Sequence, residues 1–146
     1  MSAAGGRLSP MLGSESPLLW WYGFPIAFAL TCMIEVPAYL GAFASLGWCR
    51  RGALTARSAL GLALAANLIS HPLLWALSLG LDETAHLVLA EIGVAVLEGL
   101  MIFAVVQRRR VGGTRAGRLG WSLLCAVGVN TLSLLVGLVA LPRFIN

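Results

Sequence analysis

Residues 87–110 read LVLAEIGVAVLEGLMIFAVVQRRR: an almost unbroken hydrocarbon run, interrupted by Glu91 and Glu98 and closed by Arg108, Arg109 and Arg110. About 20 apolar residues in helical form cross the hydrocarbon core of a bilayer. A transmembrane strand would instead alternate polar and apolar residues over about ten positions, and this run is apolar all round. The stretch therefore predicts a membrane helix with two carboxyls seven residues apart, two turns along one face.

Working outward, four stretches have this character: Leu18 to Gly47, Ser58 to Leu81, Thr84 to Gln107 and Leu119 to Leu141. They predict an all-α fold, an integral membrane four-helix bundle. The composition agrees, with 59% hydrophobic and 11% charged residues in 146 and a mean hydropathy of +0.88. Six acidic and ten basic residues cannot coat a water-soluble globule of this size. A soluble enzyme, a disordered tail and a nucleic-acid module are excluded on that ground. The net charge of +4 is carried by short loops between apolar runs and marks topology rather than a nucleic-acid partner. Residues 1–17, rich in Gly, Ser and Ala, read as a flexible lead, 18–141 as one membrane domain and 142–146 as a short end.

Trp48 to Arg57 and Arg108 to Arg118 hold eight of the ten Arg, while the connection at Asp82 and Glu83 holds none. Arg-rich loops stay in the cytoplasm. The expected topology has both termini outside, with Arg7 and Arg143 on that side, in what reads as a prokaryotic inner membrane. Trp20, Trp21 and Tyr22 fall at an outer aromatic belt, and Trp48 and Trp121 at an inner one. The first span is too long for a signal peptide and contains Glu35. Cys32, Cys49 and Cys125 show no CxxC spacing and are expected as free thiols.

Polar residues at bilayer depth are costly and normally face the bundle interior. Here they are Glu35; Asn67, Ser70 and His71; Glu91 and Glu98; and Asn130 and Ser133. Glu35 stands 32 residues before Asn67, and Glu98 stands 32 before Asn130; Asn67 and Asn130 each precede a Ser by three. Three pairs are thus related by one offset of 63. The pattern predicts two tandem hairpins, about 18–81 and 84–141, each giving a Glu and an Asn-x-x-Ser motif around a parallel pseudo-twofold axis. His71, which corresponds to Leu134, and Glu91, which corresponds to Phe28, break the symmetry and are expected to pair nearer the outer side. Gly61, Gly93, Gly99, Gly128 and Gly137 suit close helix packing. Pro37 and Pro72 free the carbonyls of Met33 and Leu68 beside the ionisable groups.

A buried carboxyl can exchange hydrogen bonds with Asn and Ser, and can give up its proton when a cation or substrate arrives. The expected function is therefore proton- or cation-linked transport or permeation through a site of Glu35, Glu98, Glu91, Asn67, Asn130, His71, Ser70 and Ser133. The expected partners are the bilayer, a small ion or molecule, and a second copy or a larger membrane complex. Two alternatives stand beside it: a non-catalytic subunit or assembly factor whose polar residues fix helix packing, and an intramembrane enzyme, metal-assisted or not. No HExxH, ExxH, phosphate loop or cofactor fingerprint is present, so neither a cofactor nor a dedicated metal site is expected. His86, beside Asp82 and Glu83, reads as a solvated loop residue.

Overall fold

The computed structural model describes residues 17–50, 53–78 and 84–145, with side chains placed within 24–50, 53–77, 85–86 and 88–136. Residues 1–16, 51–52, 79–83 and 146, and the surroundings of Trp20, Trp21, Tyr22, Gly137 and Arg143, lie outside this description, as do the expectations that rest on them.

Four helices make up the fold: α1 (Pro17–Ser45), α2 (Ala56–Ser78), α3 (Thr84–Arg108) and α4 (Arg115–Ile145). Each contains a segment long and apolar enough to cross a membrane: Phe24–Ser45, Ala56–Leu77, Val88–Arg108 and Arg115–Val136. Helices are what hydrocarbon dictates, since all their backbone bonds close within one segment. The chain is an integral membrane protein. Many of its exposed large side chains are apolar, among them Leu30 and Met33 on α1, Leu68 on α2, Leu89 on α3 and Leu124 on α4. Facing lipid costs such groups nothing. α1 packs on α2 and α4, and α3 packs on the same two neighbours, so the four form a closed ring. α3 and α4 meet along the greatest length.

Several positions 63 apart are buried alike in this bundle. Tyr39 and Ile102, Phe43 and Val106, Trp48 and Val111, Ala63 and Ala126, and Ala66 and Val129 are all buried. The ends of α1 and α3 close with the same bonds. Trp48 N donates to Phe43 O (2.9 Å) and Gly47 N to Ala44 O (3.0 Å), while Val111 N donates to Val106 O (3.1 Å) and Arg110 N to Gln107 O (3.1 Å). These pairs are Schellman closures, each with an apolar contact between its outer members. They put a residue in the left-handed region at the same place, Gly47 with φ 71° and Arg110 with φ 51°.

Threonines then start the next helices. Thr55 Oγ1 accepts the Ser58 amide (3.2 Å) and Thr114 Oγ1 accepts the Gly117 amide (3.1 Å). Both are N-caps. Because Thr114 follows α3 so closely, α4 begins at Arg115 rather than at 119, the position 63 beyond the start of α2, and gains a turn.

Two sequence expectations change here. Trp48 is not an interface anchor but a core residue, stacked on Phe43 with centroids 5.6 Å apart. Trp121 is exposed, as a belt residue is. Of the packing glycines, Gly99 alone among the described ones has a close neighbour: a Cβ there would lie 2.8 Å from Leu123 Cδ2 and 3.0 Å from Leu123 Cα. Gly61, Gly93 and Gly128 face open space.

Candidate functional site

Glu98 sits in the buried middle of α3 and gathers donors from all three other helices. Tyr39 Oη of α1 donates to its Oε2 (2.5 Å), Asn130 Nδ2 of α4 donates to the same oxygen (2.6 Å), and the Ser70 hydroxyl of α2 donates to Oε1. A carboxylate offers about four lone-pair positions, so three donors leave it nearly saturated. The ring of four helices is thus tied together at one residue.

Glu35 occupies the matching place on α1 and is also buried. Its polar neighbours are the side chains of Ser133 and Asn67. Each Glu therefore meets the Asn of its own hairpin and the Ser of the other. The two Asn are anchored alike, Asn67 Nδ2 donating to Ala63 O (3.1 Å) and Asn130 Nδ2 to Ala126 O (3.0 Å), one turn back on their own helices. A back-bond of this kind holds the amide against its own helix and sets the height at which it meets the carboxyl.

A cavity of about 180 Å³ opens beside the two carboxyls and is lined by Glu35, Ser70, His71, Glu91, Glu98, Asn130 and Ser133, with Thr31, Leu74, Val94 and Leu134 as its apolar and hydroxyl wall. Seven of the eight sequence-predicted residues thus share one space; Asn67 stands behind Glu35, fully buried and away from the lining. Glu35 interacts electrostatically with both Glu98 and Glu91, so three carboxyls face one volume with no Lys or Arg among the lining residues.

His71 and Glu91 line this cavity without a hydrogen bond or ion pair joining them. The imidazole is instead held by rings of α1, with Phe24 at 5.8 Å and Phe28 at 5.6 Å between centroids, and its Nε2 makes no hydrogen bond to protein groups. Phe24 also meets Trp75 edge-on at 5.7 Å. Aromatic stacking fixes the ring plane of a side chain that lines the cavity. Neither Met33 nor Leu68 lines the cavity, and both face outward. The helices run through Pro37 and Pro72 without a break.

Tyr39 is the member that sequence reasoning missed. It stands four residues after Glu35, but the symmetric position is Ile102, so the offset of 63 gave no signal. The available clue was a phenol at bilayer depth, where a buried hydroxyl needs an acceptor. Among the described residues no three His, Cys, Asp or Glu side chains stand close enough to hold a metal ion, and the three cysteines are free. His86 is exposed in the first turns of α3. Comparison with protein-family models, with curated proteins and with solved structures returns no match for this chain, and function rests on the site itself.

Proposed function

We propose that the protein is a small membrane transporter or permeation subunit in which Glu35 and Glu98 exchange a proton or a cation with the adjoining cavity. The observation that carries this reading is the convergence of Glu35, Glu91 and Glu98, half of the protein's six acids, on one volume beside Asn and Ser side chains. Helix glue needs one such contact; three carboxyls and an imidazole around a shared space exceed it. Glu98 is the fixed member, held by donors from three helices. Glu35, with Ser133 and Asn67 beside it, is the member free to change partners.

In this reading the chain is a tandem pair of hairpins, supported by the shared burial, turn bonds and Asn back-bonds at positions 63 apart. The Arg-rich connections face the cytoplasm and the cavity opens toward the other side, as the positive-inside rule orients them. Glu91 and His71 then line the path between the outer surface and the two central carboxyls.

Reconstitution into liposomes carrying a pH-sensitive dye tests it. Proton-coupled flux is expected from the unmodified protein and is lost in Glu35→Gln and in Glu98→Gln while helicity and insertion are kept. Flux that persists unchanged in both variants would falsify the proposal. A second reading, a subunit whose polar residues only fix packing, is favoured by the saturation of Glu98. It predicts that Glu98→Gln lowers stability and that Glu35→Gln has no phenotype.

A further inference from the structure

A second, larger cavity of about 650 Å³ lies at the other end of the bundle, between the α1–α2 and α3–α4 connections. Leu46, Trp48 and Val111 form its apolar floor, and Arg50, Arg109 and Arg110 stand on its walls. No Asp or Glu occurs in residues 36–81 or 99–146. Among the described residues, the three guanidinium groups therefore have no carboxylate of their own chain at this end of the molecule. Like charges gathered around a concave space raise the local potential and draw an anion.

Arg110 supplies the observation that separates a site from a merely basic surface. At the equivalent turn the left-handed residue is Gly47, which adopts φ 71° without steric cost, whereas Arg110 holds φ 51° against the clash of its Cβ. An arginine kept where the backbone favours glycine has a use for its side chain. Simple orientation in the membrane needs no such residue, since Arg57, Arg108 and Arg115 lie in ordinary helical backbone at the adjoining helix ends. The turn is also braced. Arg118 donates to Gln107 Oε1 (2.9 Å) and to the carbonyls of Val111 (2.8 Å) and Gly113 (2.7 Å), which clamps the segment that carries Arg109 and Arg110.

We propose that this cleft binds an anionic phosphate group, with Arg50, Arg109 and Arg110 as its ligands and the Trp48 floor beneath the organic part. Guanidinium forks match phosphate oxygens bidentately, and the volume suits a phosphate with its attached glycerol or sugar rather than a bare ion. The same chemistry is offered by an anionic lipid headgroup at the membrane surface and by a soluble phosphate ester.

The full chain in neutral detergent is titrated separately with short-chain phosphatidylglycerol, short-chain phosphatidylcholine and inorganic phosphate, and tryptophan fluorescence is followed, with Trp48→Phe identifying the signal. A saturable response to phosphatidylglycerol alone identifies a lipid ligand; an equal response to inorganic phosphate identifies a soluble one. In either case affinity falls at least about tenfold in Arg110→Gly and Arg109→Gln and stays unchanged in Arg57→Gln. Arg110→Gly places in the turn the residue its backbone favours, so the fold is kept and loss of binding reports the side chain. The proposal is overturned by the absence of a saturable response to both anions, by an equal response to phosphatidylcholine, or by unmodified affinity in Arg110→Gly.

Discussion

The α1–α2 and α3–α4 hairpins close their first helices with the same turn bonds and bury several matching positions, yet they are not interchangeable. Where α1 has Val36, α3 has Gly99, and α4 closes on it through Leu123. Where α1 has Tyr39, α3 has Ile102, so Glu98 gains a third donor that Glu35 has no counterpart for. Where α2 starts after a longer connection, α4 gains a turn and Arg118 clamps the loop. The polar skeleton is symmetric, and apolar and aromatic positions beside it make its two carboxyls unequal.

Five substitutions, in three sets, test that contrast. The largest effect is expected for Glu98→Leu, which strips the acceptor from Tyr39, Ser70 and Asn130 together and costs about 3 kcal/mol. Glu35→Leu, with two polar neighbours, costs about half as much. Unfolding in mixed micelles followed by circular dichroism gives both values, and equal losses would remove the distinction between the carboxyls.

Next is Gly99→Val, which copies the α1 residue into α3. Its Cβ meets both the side chain and the backbone of Leu123, and the helix pair separates at a cost of about 2 kcal/mol. The reverse change, Val36→Gly, opens no clash and costs about 1 kcal/mol through lost helix propensity and lost packing on the core. Thermal unfolding of the two variants measures the difference, and a Gly99→Val protein as stable as its parent would show that the close approach is unimportant.

The smallest is Tyr39→Phe, which keeps the ring and removes one hydrogen bond, for about 1 kcal/mol. Its sharper readout is the pH profile of the flux that the proposed function expects, since Glu98 then keeps two of its three donors. A pH profile identical to that of the parent protein would place the inequality elsewhere.

Much of this was legible in the chain. Span length and hydrophobicity announced the four helices, and polar residues at bilayer depth marked side chains that line the cavity, because polar groups in hydrocarbon have few places to go except toward one another. Tyr39 escaped notice because its partner lies 59 positions away and breaks the offset. Trp48 was misplaced because a tryptophan at a span end looks the same in sequence whether it meets lipid headgroups or folds back over Phe43. The Arg cleft was invisible as a cleft: counting charges in loops says which end they share but not that they surround a space.

What the sequence determined by itself was the solvent, the number of crossings and the identity of the residues too polar for lipid, since each follows from transfer free energies summed along one chain. The tertiary structure decided which carboxyl is saturated, which glycine is used and which arginines face one another. Those outcomes depend on how far each helix is rotated and how closely it approaches its neighbour, and that is settled by contacts such as Gly99 on Leu123 between segments the chain itself keeps apart.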